Sequence, residues 1–299
     1  MSIIHSELNK LDITCDSFCI LQDKDGVTVA RIVSNEKSYV IKCFQKEEHK
    51  RELENYRLLS SLDIPTIRVI ASTDSALLLE DIDCSVNYRL GAEEDMSDPA
   101  VARLIAEWYK QLHSQGYGYV CQHGESMYDE ADFFTLENIA CIKEKTGTQD
   151  APAWVLLEQN YAAINDLLRK ARRTITYNDF YYTNMVVAKD KSAALMFDYN
   201  LLGKGYAYTD VRNVLSSLSE EAGKAFLDEY GMFDPVEKAL DDVVSVVVTL
   251  HLACQRDVFP WWAQSLLDEL DTTFIEKIEC LRGYYEKDCC ADLQSILQF

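Results

Sequence analysis

The sequence has little glycine, proline or positive charge, and each shortage excludes a class of protein. Only 11 of the 299 residues are Gly and 5 are Pro, while 48% are hydrophobic, so a disordered or low-complexity chain is excluded. Lys and Arg total 29 against 50 Asp and Glu, which gives a formal net charge of −21 at pH 7. A general nucleic-acid binder needs a cationic face, and an anionic membrane surface would repel this chain. We therefore expect no nucleic-acid partner and no membrane partner.

Long apolar runs and paired cysteines are also missing. The longest apolar run, from Val243 to Leu252, is too short for a membrane span and contains Ser, Thr and His. The first residues lack the basic start and apolar run of a signal peptide, so we expect a cytoplasmic location. The 10 cysteines include no Cys-x-x-Cys pair, which argues against a zinc site and favours reduced thiols. Cys289 and Cys290 are interpreted as surface thiols that are liable to oxidation.

The first 80 residues combine β-rich runs with one helical pattern. Apolar residues recur at helical spacing from Glu47 to Leu62, and Pro65 follows them. The polar segment from Asp23 to Gly26 is typical of a hairpin turn between two strands. Five runs of β-branched and apolar residues predict strands at Phe18–Leu21, Val27–Val33, Ser38–Phe44, Ile67–Ala71 and Ala76–Glu80.

Helical patterns dominate beyond residue 84. One predicted helix, Ala100–Gln115, ends at Gly116, and short strands are predicted between residues 174 and 197. The predicted class is α+β. Residues 1–82 would form a small β-rich lobe with one helix, and residues 83–299 a larger, mostly helical lobe. Longer predicted helices span Trp154–Arg172, Pro235–Arg256 and Trp262–Tyr285.

Two charged residues in the first lobe suit phosphoryl transfer from a nucleotide. Such a transfer needs a cation to hold the phosphates and a carboxylate to keep that cation in place. Lys42 ends the apolar strand Tyr39-Val40-Ile41-Lys42, which is similar to the V-A-I-K strand of kinases. Glu52 lies on the following predicted helix, from which it can pair with Lys42. Alone, each residue is more often an ordinary surface residue.

Three more polar residues follow short apolar runs in the second lobe. Asp179 and Asn184 have the D-x-x-x-x-N spacing of a kinase catalytic loop, where Asp is the base and Asn binds magnesium. Asp198 follows another apolar run, at the place of the aspartate in D-F-G. A buried carboxylate without a partner is costly, which favours a function for Asp179 and Asp198. The ordered set predicts a kinase-like site, although each piece alone is a weak signal.

The segment from Thr174 to Arg212 resembles the aminoglycoside phosphotransferase and choline kinase superfamily. That family carries H-G-D or H-N-D, then x4-N, then I-D-W/F-E, then a further Asp-aliphatic pair. Arg51-Glu52, Ile64-Pro65 and Leu77-Leu-Leu-Glu-Asp81 also fit, as does Gln111-Leu-His113, so the resemblance covers most of the chain. The matching segments are Tyr177-Asn-Asp-Phe-Tyr-Tyr-Thr-Asn184, Ala194-Leu-Met-Phe-Asp-Tyr-Asn200 and Tyr208-Thr-Asp-Val-Arg212.

The resemblance implies a bilobal, protein-kinase-like fold, in which residues 1–82 bind the nucleotide and residues 83–299 carry catalysis and bind the substrate. It also implies a role for each polar residue of the second lobe. Asp179 would be the catalytic base, and Asn184 and Asp198 would be the magnesium ligands. Asp210 would be structural and would support the catalytic loop.

The resemblance also implies a nucleotide site in the first lobe. Lys42, oriented by Glu52, would hold phosphate. The backbone from Glu80 to Ile82 would meet the adenine of ATP, with Leu79 beside it. ATP, or GTP in its place, and Mg²⁺ are therefore the expected cofactors.

The sequence departs from the family pattern in the catalytic loop. Tyr177 stands where the family has histidine, which concerns the geometry of the loop more than the reaction class. Asn178 in place of glycine is similar to the choline kinase version, and the aromatic residues 180–182 replace the usual His-Pro. No Gly-rich phosphate loop is present, since Gly26 is the only glycine in the first hairpin.

These observations predict a kinase that transfers the γ-phosphoryl group of ATP or GTP to a hydroxyl of a small, amine-bearing acceptor. Aminoglycoside-type and choline- or ethanolamine-type acceptors both fit, and a hydroxylated metabolite such as a sugar or homoserine stays open. A pseudokinase-like binding module is the alternative from another class, because of Tyr177 and the missing glycine loop. A protein kinase is disfavoured, since H-R-D, D-F-G and A-P-E are all missing.

Four further aromatic residues receive a structural interpretation. His113 is predicted to cap or pack at a helix end. His251, inside an apolar helix, is predicted to be a satisfied core residue or to line a pocket. Trp261 and Trp262 follow Pro260 and are interpreted as core residues rather than as a cage for a cation.

Overall fold

The structure is a computed structural model that describes residues 3–296, with side chains described up to residue 286. An antiparallel sheet region is followed by a mainly helical region, which confirms the predicted α+β class. Two compact units can be distinguished. The first unit contains Met1–Gly118, Tyr177–Gly203 and Asp210–Gly231, and the second contains Tyr119–Thr176, Lys204–Thr209 and Met232–Phe299. The predicted division into residues 1–82 and 83–299 stays a prediction.

The described strands lie in three sheets. They are β1 (Ser17–Lys24), β2 (Val27–Ser34), β3 (Lys37–Phe44), β4 (Val69–Ser72), β5 (Ala76–Glu80), β6 (Tyr88–Leu90), β7 (Thr174–Thr176), β8 (Met185–Ala188), β9 (Ala194–Met196) and β10 (Gly203–Gly205). The largest sheet has the order β1-β2-β3-β5-β4, with antiparallel neighbours throughout. The others have the orders β6-β8-β9 and β10-β7. The five strands predicted before residue 81 are therefore confirmed.

Two tight turns join the first three strands. Asp25 and Gly26 have φ values of 55° and 87°, and Asn35 and Glu36 have values of 51° and 64°. Two successive residues with positive φ match the right-handed twist of an antiparallel hairpin. The hairpin predicted around Gly26 is thus confirmed.

The described helices include two that the sequence patterns did not predict, α1 and α4. They are α1 (Ile3–Lys10), α2 (Arg51–Ser61), α3 (Pro99–His123), α4 (Leu136–Thr146), α5 (Pro152–Lys170), α6 (Ala207–Leu215), α7 (Glu220–Tyr230), α8 (Pro235–Cys254), α9 (Gln264–Asp268) and α10 (Thr273–Ile296). Helix α1 buries Ile4 and Leu8 against Ile32, Ile41 and Leu78 of the large sheet. One face of that sheet is therefore covered, and the opposite face is left to line a cavity.

Two predicted helix ends are wrong. Helix α3 continues through Gly116 to His123, because one glycine inside a helix costs only about 1 kcal/mol relative to alanine. The predicted helix Trp262–Tyr285 is instead two helices, α9 and α10. The Phe274 amide donates to the Glu269 carbonyl across the break.

The second unit is mainly helical, with α4, α5 and α10 packed around the valine-rich helix α8. Trp154 and Phe274 are fully buried there, with ring centroids 6.0 Å apart. Trp261 and Trp262 are 87% and 40% exposed, so their interpretation as core residues is wrong. They follow the end of α8, and the Arg256 guanidinium lies over the Trp262 ring, 5.8 Å from its centroid.

Two further properties concern the described part of the chain. None of its helices combines the length and the apolar character needed to cross a membrane. The cysteines at positions 15, 19, 43, 84, 121, 141, 254 and 280 are free thiols, as expected for reduced residues. Cys289 and Cys290 lie outside the described side chains, so their interpretation as surface thiols stays a prediction.

Candidate active site

A cavity of about 360 Å³ lies in the first unit, against the face of the large sheet that α1 does not cover. Successive residues of a strand point to opposite faces, so Val40 and Lys42 of β3 share the cavity face with Leu79 of β5. The cavity is apolar at the Leu79 side and charged where Lys42 lies. Other lining residues include Leu21, Val29, Arg31, Glu52, Tyr56, Glu80, Ile82, Leu90, Asn184 and Asp198.

Lys42 joins two carboxylates at the charged end of the cavity. Its Nζ lies 2.7 Å from Glu52 Oε2 and 2.7 Å from Asp198 Oδ1. Burial acts to lower the pKa of Lys42, but the charges of Glu52 and Asp198 outweigh it and raise this pKa above its ordinary value. The structure therefore brings together three residues that lie up to 156 positions apart and keeps the ammonium charged.

Glu52 is almost completely buried on α2, with Lys42 as its ion-pair partner. Burial raises the pKa of Glu52 above its usual range, against the opposing effect of Lys42. The pairing that the sequence predicted for these two residues is present in the structure.

Asp179 and Asn184 are held together within one loop. The Asn184 side-chain amide donates to the Asp179 carbonyl at 3.2 Å and to Asp179 Oδ2 at 3.0 Å. Burial, followed by the charge of Asp198, raises the pKa of Asp179 to about 6. Because the amide nitrogen of Asn184 is used by Asp179, its oxygen is left as a donor atom for a ligand.

The Asp198 turn is tied to the same loop. The Phe197 amide donates to the Asn184 carbonyl at 2.9 Å, and Asp198 has a φ of 62°. Non-glycine residues adopt this left-handed conformation rarely, and Asp is among those that do. An amide oxygen and a carboxylate are the hard oxygen donors that Mg²⁺ prefers, with phosphates and water supplying further ligands. The donor set fits Mg²⁺, although the described residues include no cluster of three or more His, Cys, Asp or Glu around one point.

Asp210 supports the backbone just before Asp179. Its fully buried carboxylate accepts hydrogen bonds from the amides of Tyr177 at 2.8 Å and Asn178 at 2.9 Å. His113 Nε2 lies 3.1 Å from the same carboxylate. His113 thus packs inside α3 as part of this network, and not at the helix end where it was expected.

Asn178 has a φ of 66°, and its side chain donates to the Leu201 carbonyl at 3.0 Å. Glycine and asparagine are the residues that tolerate this left-handed conformation best, which explains why either can occupy the position. The departure from the family pattern at Asn178 is therefore compatible with the loop.

Tyr177 connects the loop to the Asp198 turn. Its hydroxyl donates to the Phe197 carbonyl, next to Asp198 in the chain. The ring lies edge-on to Tyr199 with centroids 5.7 Å apart, and Tyr199 meets Tyr56 of α2 at 4.8 Å. A tyrosine at this position therefore supplies a polar contact inside an aromatic stack. The contact of Tyr56 with this stack was not predicted, although Tyr56 lies four residues after Glu52 and therefore on the same face of α2.

The apolar end of the cavity is bounded by the segment after β5. Glu80 accepts a hydrogen bond from the Ser85 hydroxyl at 2.6 Å. Arg31 Nε donates to Asp81 Oδ2 at 2.6 Å and ties β2 to this segment. Leu79, Glu80 and Ile82, which were predicted from the sequence, all line the cavity, whereas the Arg31–Asp81 pair was not predicted.

Solved structures share this fold at low sequence identity. Choline kinase LicA from Streptococcus pneumoniae superposes with a TM-score of 0.61 and 12% identity, covering 93% of this chain and 98% of that chain. Macrolide 2′-phosphotransferase MphH from Brachybacterium faecium gives 0.59 and 15%, with coverages of 89% and 96%. A streptomycin–ATP–APH(2″)-IIa ternary complex gives 0.59 and 18%, with coverages of 92% and 98%. At these identities the likeness establishes the fold alone.

The sequence was also compared with curated proteins and with family models. No curated protein sequence matches the chain. The model of the phosphotransferase enzyme family matches residues 21–270, a span that includes every residue of the cavity and of the catalytic loop described above. The match confirms the predicted resemblance and the predicted enzyme class, a phosphotransferase that acts on hydroxyl groups. The chain belongs to the phosphotransferase enzyme family.

Proposed function

We propose that this phosphotransferase is a small-molecule kinase that moves the γ-phosphoryl group of ATP or GTP to a hydroxyl of an amine-bearing acceptor. The observation that carries the proposal is the arrangement of Lys42, Glu52 and Asp198 at one end of a cavity, beside the Asp179–Asn184 pair. Phosphoryl transfer depends almost entirely on positioning and charge stabilisation, and these are the groups it requires.

The nucleotide would lie along the cavity, with its base at the apolar end. Val40 and Leu79 offer faces for a flat ring, and the backbone from Glu80 to Ile82 offers hydrogen-bonding groups at its edge. Lys42 at the other end is charged and held between two carboxylates, so it can bind phosphate oxygens without being free to move. A related fold has been solved with ADP and spectinomycin, and another with streptomycin and ATP, which supports this use of the cavity.

Asn184 and Asp198 are the residues that would hold Mg²⁺, through one amide oxygen and one carboxylate. When bound, the ion neutralises negative charge on the phosphates of the nucleotide. The hydrogen bond from the Phe197 amide to the Asn184 carbonyl, at 2.9 Å, keeps the segments that carry the two donors together.

Asp179 would orient the acceptor hydroxyl and take its proton as the new bond forms. The hydroxyl oxygen attacks the γ-phosphorus, the bond from that phosphorus to the β-γ bridging oxygen breaks, and the nucleoside diphosphate leaves with the bonding electrons. A pKa of about 6 leaves Asp179 mostly ionised at neutral pH yet more basic than an ordinary aspartate. Lys42 meanwhile holds the donor phosphates in line.

A cationic acceptor is the class that the charge of the chain favours. The net charge of −21 attracts amines over long distances, and solved structures with this fold carry the names of a choline kinase, an ethanolamine kinase and an aminoglycoside phosphotransferase. Sugars and homoserine-like hydroxyl compounds belong in the same test panel. A binding module without catalysis is the alternative. The substitution of the family histidine by Tyr177 was one argument for it, but the Tyr177 hydroxyl makes a polar contact with the Asp198 turn, which weakens that argument.

The deciding experiment is a screen for nucleoside diphosphate release, with ATP and GTP as donors and a panel of aminoglycosides, choline, ethanolamine and hydroxylated metabolites as acceptors. We expect turnover with at least one amine-bearing acceptor. Asp179→Asn should lower kcat by about 10²–10⁴-fold, because it removes the base while keeping the shape of the side chain. Full turnover in that variant would remove Asp179 from the mechanism.

Nucleotide binding provides the control. Mg²⁺ with ATP or GTP should raise the melting temperature of the wild type and of Asp179→Asn alike, since Asp179 faces the acceptor hydroxyl. Lys42→Met should abolish that rise, because it removes the cation at the charged end of the cavity. A wild type that is protected by nucleotide but turns over no acceptor would favour the binding module.

A further inference from the structure

Gly91 lies where the segment after β6 meets the catalytic loop. Strand β6 is antiparallel to β8, with Leu90 opposite Val186, and the Gly91 amide then donates to the Met185 carbonyl at 2.7 Å. Met185 immediately follows Asn184 in the chain. The end of β6 is thus attached to the backbone at the end of the catalytic loop.

The contact at Gly91 leaves no room for a side chain. A Cβ atom at this position would lie 2.4 Å from the Tyr182 carbonyl oxygen and 3.1 Å from the Met185 carbonyl oxygen. Both are backbone atoms, so neither can rotate away as the end of a flexible side chain would. The φ of Gly91 is not in the left-handed region, and close approach is therefore the reason for glycine here.

An ion pair fixes the turn that carries Gly91. The Arg89 guanidinium donates to both carboxylate oxygens of Asp95, at 2.7 Å and 2.6 Å, and Asp95 also accepts the Ala92 amide at 2.8 Å. Asp95 is buried, and Arg89 holds its pKa below the usual value despite that burial. A bidentate pair of this kind fixes orientation as well as distance. The backbone from Arg89 to Asp95 is consequently held in one geometry by these contacts.

The same segment begins at the apolar end of the cavity. The Ser85 hydroxyl donates to Glu80, and the Lys189 ammonium donates to the Ser85 carbonyl at 2.7 Å. Leu90, next to Gly91, lines the cavity. Residues 85–95, which we name the brace, therefore run from the predicted base-binding end of the cavity to the catalytic loop and are anchored at both ends.

We propose that Gly91 is a positioning residue. Through its close contact, the brace fixes the position of the Tyr182 carbonyl, and this position in turn sets the distance between the side chains of Asp179 and Asn184. Tyr182 starts the helical turn that ends at Asn184, and the Met185 amide donates to the Tyr182 carbonyl. Displacing that carbonyl moves Asn184 relative to Asp179, whose side chains are 3.0 Å apart. The proposal rests on the proposed function, in which these two side chains act on the acceptor and on the metal.

The test compares Gly91→Ala with Gly118→Ala. Gly118 lies in α3 with open space around its position, so the control adds the same methyl group without a clash. Gly91→Ala should lower kcat by about tenfold to a hundredfold, since small displacements of reacting groups have effects of this size. The dissociation constant of the nucleotide without Mg²⁺ should stay near the wild-type value. Gly118→Ala should leave both quantities unchanged.

Three readouts separate positioning from a merely structural role. An unchanged kcat per folded enzyme with a lower melting temperature would overturn the proposal, as would an equal loss of nucleotide affinity and turnover. If Gly91→Ala does not fold, Arg89→Gln decides, because it loosens the brace without a clash. That variant should show a smaller fall in kcat at unchanged nucleotide affinity, and an unchanged kcat would again overturn the proposal.

Failure of the proposed function would be visible separately. A wild type without turnover on any donor and acceptor of the panel rejects the proposed function but not the brace. A crystal structure of Gly91→Ala then tests the brace alone: the distance from Asp179 Oδ2 to Asn184 Nδ2 should lengthen from 3.0 Å. An unchanged distance would reject the positioning role of Gly91.

Discussion

Buried carboxylates are treated differently in the two units. In the first unit, Asp81 and Asp95 each face an arginine at 2.6 Å, and both have a pKa below the ordinary value although burial alone would raise it. In the second unit, Asp129 lies 3.9 Å from Arg173, and Glu237 has no ion-pair partner within 4.0 Å among the described residues. Burial raises the pKa of both, to about 7 for Glu237. A close arginine therefore distinguishes Asp81 and Asp95 from Asp129 and Glu237.

The exceptions in the first unit are informative. Asp179 and Glu52 have a raised pKa there, and both lie in the candidate active site. Perturbed pKa values cluster at functional sites, which is in keeping with the function proposed for these two residues. Asp129 and Glu237 of the second unit also have a raised pKa, but neither belongs to the kinase-like motifs. His251 there stacks on Phe133 with ring centroids 5.1 Å apart, and burial lowers its pKa. Its side chain is only half-buried and its Nδ1 has no hydrogen-bond partner among the described residues, so its prediction as a satisfied core residue is wrong, and its prediction as a pocket lining stays a prediction.

The largest expected effect concerns the best-satisfied acid of the first unit. Asp210→Ala would leave the buried amides of Tyr177 and Asn178 without an acceptor and would remove the contact with His113. We expect the free energy of unfolding to fall by about 3–5 kcal/mol, as for a broken buried polar network. Chemical denaturation with urea measures this change.

Asp210→Asn is the matched variant for that prediction. Its amide oxygen keeps one acceptor for the loop, so its loss of stability should be smaller than that of the alanine variant. If the alanine variant were as stable as the wild type, the hydrogen bonds of Asp210 would contribute nothing to the free energy of unfolding. The contrast between the acids of the two units would then have no energetic basis.

In the second unit, we expect the loss of the Glu237 charge to stabilise the protein rather than to destabilise it. Its folded pKa of about 7 exceeds its ordinary value of 4.5, so the folded state binds more protons between these values and stability falls as the pH rises through that window. Glu237→Gln removes the ionisation and keeps the shape. We expect it to raise the free energy of unfolding by on the order of 2 kcal/mol at pH 8 and to leave it unchanged near pH 4.

Urea denaturation of both proteins at the two pH values checks this prediction. The other titrating groups are common to both proteins and cancel in the difference. A Glu237→Gln variant that is destabilised at pH 8 would mean that the ionised carboxylate has a favourable partner, and the contrast between the units would be lost.

Much of the fold follows from local patterns. The strands and α2 were predicted because period-two and helical spacings are strong there, and Asp-Gly marks the first turn. Helix α4 was missed although Thr135 caps its start and Gly147, with a φ of 68°, ends it. A capping threonine and a terminal glycine are both helix-end signals that can be recognised in a sequence. Helix α1 is short and is stabilised by packing against the sheet, which no local pattern reveals.

The candidate site likewise contains residues that could be predicted from the sequence and residues that could not. Short motifs contain the residues that are proposed to take part in catalysis, so Lys42, Asp179, Asn184 and Asp198 could be predicted from their spacing. Their supports are contacts between distant segments. The 50 positions between Arg31 and Asp81 leave no periodic signal. The reach of Gly91 to the Tyr182 carbonyl is likewise a property of three-dimensional packing.

The smallest expected effect concerns Tyr177, where the family has histidine. Tyr177→Phe would remove the hydrogen bond to the Phe197 carbonyl while keeping the ring in its stack with Tyr199. We expect a loss of about 1 kcal/mol in the free energy of unfolding, the usual net value of one hydrogen bond, and a fall in kcat because Phe197 precedes Asp198. Tyr109→Phe is the matched control, since the Tyr109 hydroxyl is buried without a hydrogen-bond partner in the described residues and its ring also meets Tyr177. It should be neutral or stabilising. Equal losses in both variants would mean that the aromatic stack, and not the polar contact, supports the Asp198 turn.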